Sequence, residues 1–269
     1  PITGWSQLNG EVGLFAQDRW TMKRLTVNLG VRYDQFDAGY PVQTLGPAPL
    51  QPNRNLTFPG VTGINPNEFM HALSPSSARA CAYVVDVGQH QMWAAQSLEL
   101  TETPRFLTSG GMGSMGFALP AAIGAAFACP QEPVVVIAGD GAFQCNIQEL
   151  QTVKRNHLPL KMVIINNHSL GMVRQFQESY FDSRFQSTVW GYSAPDFVKV
   201  AEAYGIPGRR VARPDDVAEA LRWLWADPLA PMLLEVDIAV TANVYPKMAF
   251  GRPITEMEPL AKPLEMEGT

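Results

Sequence analysis

The amino-acid sequence predicts an α/β fold, a parallel sheet with helices on both faces, preceded by a β-hairpin and loop appendage. Three observations carry that prediction. Past residue 65, short apolar runs such as Val134-Val135-Val136-Ile137-Ala138 and Met162-Val163-Ile164-Ile165 alternate with helical segments, the pattern of a sheet buried on both faces. Clusters of Gly, Asp and Asn fall just after those runs, at the strand ends where open α/β sheets bind ligands. Before residue 65 the pattern changes to two-residue alternation, and then to a stretch rich in Pro, Gly, Asn and Gln.

The bulk properties narrow the class. Apolar residues at 46% and charged residues at 17% belong to a globular chain with a core to bury. A net charge of -5 leaves no basic footprint, so nucleic acid is not an expected partner. Cys81, Cys129 and Cys145 are odd in number and lack metal-ligand spacing; they fit small core residues in a reducing, cytoplasmic compartment. No apolar run is long enough for a spanning helix and no signal-peptide pattern opens the chain, so no membrane is expected. Pro1 is not an initiator methionine, which suggests a fragment of something longer.

In residues 1–64, Leu25, Val27, Leu29, Val31 and Tyr33 share one face of a half-buried strand, and Val12, Leu14 and Ala16 share a face of the strand before it. Lys23-Arg24 sits in the short connection, so the pair reads as an antiparallel hairpin. The run from Ala38 to Asn67 has no sustained period and reads as loop or disorder, making the whole segment a poorly ordered appendage. An ordinary soluble hairpin would show the same alternation. The residues Leu14 to Trp20 and Arg24 to Asp34 resemble a strand pair of TonB-dependent outer-membrane receptors, whose strands alternate with aromatic ends. Two strands cannot close a barrel, so no transport function follows, and the change of texture suggests two unrelated coding segments joined.

Residues 65–245 are read as one domain and 246–269 as a C-terminal tail. A short helix is expected over Asn67–Leu73, capped by Asn67, then a strand at Tyr83-Val84-Val85 ending in Asp86-Val87-Gly88-Gln89-His90. After a link containing Pro104, the run Ser109 to Gly116 leads into Phe117–Ala128, apolar all round and therefore expected as a buried helix. A helix around Ile147–Asn156 joins the two apolar strands already named. Further helices are expected over Pro195–Tyr204, stopping at Gly205, and over Asp215–Trp225, capped by Pro214-Asp215; Met232–Ile238 supplies a last strand.

Chemistry concentrates after the two central strands, at Gly139-Asp140-Gly141 and Asn166-Asn167. Asp140 and Asn167 lie 27 positions apart, one strand–helix–strand crossover. A carboxylate and an amide oxygen at neighbouring strand ends leave places open for diphosphate oxygens, which is how Mg²⁺ is usually held. Gly139 and Gly141 permit close backbone approach, and the following helix offers free amides. Alone, such a tripeptide is usually a turn; the Asn pair at this spacing makes it a candidate site.

This arrangement resembles the cofactor motif of thiamine-diphosphate enzymes. Asp86 to Gln96, Leu107 to Gly116, Leu119 to Gly124 and Gly171-Met172-Val173 are similar to the acetohydroxyacid (acetolactate) synthase family, over about residues 65–245. The resemblance implies that Asp140, Asn167 and the carbonyl of Ser169 hold Mg²⁺. It implies contacts to thiamine diphosphate from Val87, Gly88, Gln89, His90, Gly139, Gly141, Ala142, Leu170, Gly171, Met172 and Val173. It further implies that Gly113 and Met115 meet the aminopyrimidine, Met115 as a wedge. Read without it, His90 is a surface histidine and Met115 a filler.

The family's activity, pyruvate decarboxylation and two-carbon transfer to a 2-keto acid in branched-chain amino acid biosynthesis, is what the resemblance implies for an intact enzyme. Met172 and Phe176 would border the substrate. Where Phe176 stands the family commonly has tryptophan, so the indole N–H donor is lost. Ser179 to Phe181, Thr188 to Tyr192 and the tail from Val244 also depart, and a keto-sugar acceptor stays open, as does a fragment that binds Mg²⁺ and diphosphate without turnover. The family's acid–base glutamate lies on a pyrimidine-binding domain, and FAD binds a middle domain; neither is read here. The chain is therefore expected to be a partial transferase, with no catalytic acid or base of its own. It would be inactive unless another chain supplies that domain, and homo-oligomeric in the intact family.

Overall fold

The computed structural model describes residues 7–22, 25–39, 63–100 and 105–260. The chain divides into two units, Pro1–Leu50 and Gln51–Thr269. In the first, β1 (Gln7–Met22) pairs antiparallel with β2 (Leu25–Gly39), from Met22 opposite Leu25 to Gln7 opposite Gly39, with one register shift between Leu8 and Gly10. The strands run further than the alternating stretch of sequence, through Asp34 to Gly39. Most of the Pro/Gly-rich stretch, residues 40–62, lies outside the described residues, as do the link at 101–104 and the end of the tail at 261–269.

The second unit is built on six strands: β3 (Ala82–Val85), β4 (Arg105–Thr108), β5 (Val134–Gly139), β6 (Leu160–Asn166), β7 (Gly208–Val211) and β8 (Met232–Asp237). Their order is β4-β3-β5-β6-β8-β7, and every neighbouring pair is parallel. β3, β5 and β6 are buried along their whole length, as continuous apolar runs require when helices cover both faces.

Alternate residues feed two apolar layers. On one face Val135, Ile137, Val163 and Ile165 pack with Phe69, Leu73, Trp93, Leu221 and Leu224, from α1 (Pro66–Ser76), α2 (Gln89–Ser97) and α8 (Val217–Leu224). On the other, Val134, Val136, Met162 and Ile164 pack with Ala118, Ala122, Val153 and Phe197, from α3 (Ala118–Ala128), α5 (Leu150–Arg155) and α7 (Phe197–Ala203). Each fully buried aliphatic side chain contributes about 1.5–3 kcal/mol, so these interleaved layers fix the register of the central strands.

The structure corrects several expected elements. The cap of α1 is Asn65, not Asn67: its Oδ1 accepts from Asn67 N–H at 2.9 Å and Glu68 N–H at 3.3 Å, while Pro66 takes the first helical position, where no N–H is needed. α3 is not buried all round, since Phe127 is 58% exposed. The helix expected around 147–156 begins at once after β5 as α4 (Asp140–Phe143). It runs through a 3₁₀ stretch kinked at Asn146 and becomes regular only at α5. α7 starts behind Asp196, whose carboxylate accepts from Lys199 N–H at 3.2 Å, and stops before Gly205 at φ +70°. α8 is preceded by a 3₁₀ turn, Pro214–Asp216, with no side-chain cap.

Within residues 65–245, four elements had no sequence expectation: α2, β4, β7 and α6 (Gly171–Tyr180). β4 and β7 are the sheet's edges, half exposed and carrying Arg105, Arg209 and Arg210, so no continuous apolar run marks them. In the tail, β9 (Lys247–Met248) pairs antiparallel with β10 (Met257–Glu258).

Candidate functional site

The C-terminal ends of β3, β5 and β6 converge on one cavity of about 230 Å³. All sixteen residues for which cofactor contacts were expected line it, together with Trp93 and Ile165. Phe176 does not line it; the ring is 40% exposed on α6 and packs against Tyr180 at 4.4 Å between centroids.

Asp86, at the end of β3, is the frame of the entrance. Its carboxylate accepts from Val87 N–H (2.8 Å), Gly116 N–H (3.0 Å) and Ala118 N–H (2.8 Å), which ties the glycine-rich loop and the start of α3 to the sheet. Burial raises its pKa, and these amides offset part of the rise. Gly113, at φ +65°, turns that loop so that Met115 reaches over Gly141, where an added Cβ would lie 3.4 Å from the Met115 methyl.

His90 is buried in the first turn of α2. Its Nε2 accepts from Gly139 N–H at 3.2 Å, and burial pushes its pKa down to about 3, so the ring is neutral. A Cβ at Gly88 or Gly139 would stand 2.7–2.8 Å from that ring, which explains both glycines. Gln89 has its whole side chain engaged. Nε2 donates to Gln175 Oε1 (2.9 Å) and to the Ala242 carbonyl (3.0 Å), while Oε1 accepts from Asn167 Nδ2 (3.0 Å). What Gln89 offers the cavity is backbone.

Asp140 follows β5 and is 2% exposed. Burial pushes its carboxyl up to about 6, partly opposed by the Tyr192 hydroxyl, which donates to Oδ2 at 2.9 Å. β6 lies directly beside β5, with Gly139 opposite Ile165. The two asparagines at its end face opposite ways. Asn166 Nδ2 donates to Glu235 Oε1 at 2.8 Å, on the far side, while Asn167 turns to the cavity and its Oδ1 accepts from Ser169 N–H at 3.2 Å. Ser169 Oγ is buried without a hydrogen-bond partner. α6 then begins at Gly171 with no side-chain cap for its first amides, and its first three residues, Gly171, Met172 and Val173, line the cavity. No Cβ fits at Gly171, which lies against Gln89 Oε1 and Asn167 Nδ2.

These features fit an anionic ligand with a hard cation. The oxygen donors suit Mg²⁺, the uncapped helix start suits phosphate oxygens, and an orphaned hydroxyl waits for a partner. Among the described residues lining the cavity there is one carboxylate and no Lys or Arg. Sequence reasoning missed Gln175, Tyr192 and Gln144. None of them follows a buried strand, so nothing in the local pattern marks them; Asp86 carried the same signal as Asp140, an acid just past an apolar run.

Comparison with known proteins agrees with this geometry. The family described as thiamine pyrophosphate enzyme, C-terminal TPP binding domain, matches residues 86–236. The acetolactate synthase isozyme 2 large subunit of Escherichia coli (strain K12) is 46% identical over 185 residues, covering 69% of this chain and 33% of that protein. The acetolactate synthase large subunit of Cyanidium caldarium is 40% identical over 200 residues, covering 74% and 34%. Among solved structures, the thiamine diphosphate-dependent 4-hydroxybenzoylformate decarboxylase of Rhodococcus jostii RHA1 superposes with a TM-score of 0.58 at 27% identity, over 66% of this chain and 33% of that one. The chain thus spans about a third of the length of these relatives. It belongs to the thiamine pyrophosphate enzyme family and carries that family's C-terminal TPP-binding domain, of the kind found in acetolactate synthase large subunits.

Proposed function

We propose that this chain is the diphosphate-anchoring part of a carboligase of acetolactate synthase type, one that decarboxylates pyruvate and passes a two-carbon unit to a 2-keto acid. The observation that supports it most is the pairing of Asp140 and Asn167 at the ends of adjacent parallel strands, facing one cavity with the uncapped start of α6. Asp140, Asn167 and the Ser169 carbonyl would hold Mg²⁺. Because no Lys or Arg lines the cavity among the described residues, a diphosphate would need that cation to enter. When bound, thiamine diphosphate supplies the electron sink that decarboxylation requires.

The chain's own residues bind and orient. Backbone amides of Gly171, Met172 and Val173 would meet the diphosphate, neutral His90 braces Gly139 from behind, and Met115 would border the ring. Met172, with Phe176 further along α6, would border the substrate. Acid–base work on the ring would fall to a pyrimidine-binding domain outside residues 65–245, in a cytoplasmic homo-oligomer, and FAD, where intact enzymes use it, would also bind outside those residues.

Calorimetry with thiamine diphosphate and Mg²⁺, comparing wild type with Asp140→Ala, tests the anchor. Equal heats for both proteins would remove the assigned site. Acetolactate made from pyruvate by this chain alone would remove the need for a partner.

A further inference from the structure

Tyr192 lies outside every motif that marks the site. It comes from the loop between α6 and α7, 52 residues after Asp140, yet its hydroxyl donates to Asp140 Oδ2 at 2.9 Å. Gln144 Nε2 donates to the Asp140 carbonyl at 3.2 Å and reaches the Tyr192 oxygen at 3.4 Å, so the phenol accepts from one side and gives its proton to the carboxylate on the other. The loop that carries Tyr192 is tied down. Leu170 N–H donates to the Thr188 carbonyl at 3.0 Å, the Thr188 hydroxyl bonds Gln177 Oε1 at 2.5 Å, and Gln177 Nε2 donates to the Gln186 carbonyl at 3.1 Å. Gly141 leaves the space, since a Cβ there would stand 3.3 Å from the phenol oxygen.

We propose that Tyr192 is a positioning residue for the metal site: it holds the Asp140 carboxylate through Oδ2, and Gln144 fixes the direction of its hydroxyl. The inference rests on the Mg²⁺ role proposed for Asp140. A carboxylate at a strand end turns about two side-chain torsions, and a donor that fixes one oxygen selects the orientation in which the group meets a cation. Partners of this kind, once removed, typically cost 10–100-fold in metal affinity.

The test is direct binding of Mn²⁺ to the full chain with equimolar thiamine diphosphate. Free Mn²⁺ is read by electron paramagnetic resonance against a blank holding thiamine diphosphate alone. Tyr192→Phe is expected to weaken Mn²⁺ binding by about 10–100-fold while the metal-free protein still folds and melts in one cooperative transition. Gln144→Leu, which leaves Tyr192 in place, is expected to give a smaller loss and serves if the first variant does not fold. Unchanged or tighter binding in Tyr192→Phe, with binding lost in Asp140→Ala, overturns the proposal: the phenol would then be a bystander or a competitor of the cation. Retention of Mn²⁺ by Asp140→Ala would sink the metal site itself, and this inference with it.

Discussion

Asn167 Nδ2 donates to Gln89 Oε1 at 3.0 Å, joining the end of β6 to the first turn of α2 across 78 residues of sequence. The bond decides which way the Asn167 amide faces, because with Nδ2 committed to Gln89 its oxygen is left for Ser169 N–H and for the cavity. Gln89 is itself fixed by Gln175 and the Ala242 carbonyl, and Gln175 in turn holds Val244 through both its amide nitrogen and its oxygen.

Gln89→Glu should therefore damage the site more than a change of one atom suggests. The carboxylate can still accept from Asn167, but it faces Gln175 Oε1 and the Ala242 carbonyl with no proton to give. Both acceptors keep another donor, Val244 N–H and Arg174 Nη2, so the cost is that of a buried carboxylate facing two acceptors without a compensating bond, and urea denaturation should show a loss of at least about 1–3 kcal/mol. An unchanged midpoint would mean that the amide chain is not under tension from its far end.

Asp140→Asn should stabilise the metal-free protein. A carboxyl whose folded pKa is raised to about 6 from 3.8 is penalised when ionised in the folded state. The penalty is absent below the unfolded value, grows between the two, and is complete above about 6. The neutral amide escapes it, so the variant should gain about 2–3 kcal/mol at pH 7.5 in a chelator. With Mg²⁺ and thiamine diphosphate added, the order should reverse, since only wild type is stabilised by the proposed binding, by about 4.1 kcal/mol at a thousandfold excess over Kd. Thermal melts in the two buffers check both halves.

Two glycines separate crowding from conformational freedom. Gly171→Ala drives a methyl group into the Gln89–Asn167 amide pair, and overpacking of this kind costs about 1–3 kcal/mol and should abolish thiamine diphosphate binding. Gly124, in the middle of α3, has no atom within 4 Å of where a Cβ would stand. Gly124→Ala should instead gain about 0.5–1 kcal/mol and leave ligand binding alone. Chemical denaturation of both variants against wild type measures the contrast.

How much of this was legible in the sequence depends on where each residue sits. Val134–Ala138 and Met162–Ile165 are visible because strands covered on both faces must be apolar throughout, and the cavity-lining Asp140 and Asn167 are visible because they follow such strands. β4 and β7 are invisible because an edge strand needs no such run. α2 is invisible for another reason: Gln89, His90 and Gln91 are polar, yet Gln89 and His90 are buried because they face the site's own polar groups and not the core. Burial there is dictated by partners 49 to 153 residues away, which no local period encodes. Tyr192 is the extreme case, a loop tyrosine brought to Asp140 only by the path of the chain.

His90 should govern part of the acid limb of stability. Its pKa falls from 6.5 to about 3 because burial disfavours the imidazolium, so between those values the unfolded chain binds a proton that the folded chain refuses. Stability from this residue is complete above 6.5 and is lost as the pH drops below it. The raised carboxyls of Asp140 and Asp86 act in the opposite sense, since each keeps its proton longer when folded, so the wild-type profile alone will not show the histidine. A His90→Gln variant isolates it: the amide oxygen can accept from Gly139 N–H and does not titrate. The difference in stability between wild type and variant should be flat from pH 7 to 8. It should then move by about 1 kcal/mol in favour of the variant between pH 6.5 and 5.5. Denaturation curves at half-unit steps measure that difference, and parallel profiles would show that the ring is hydrated and titrates normally in the folded protein.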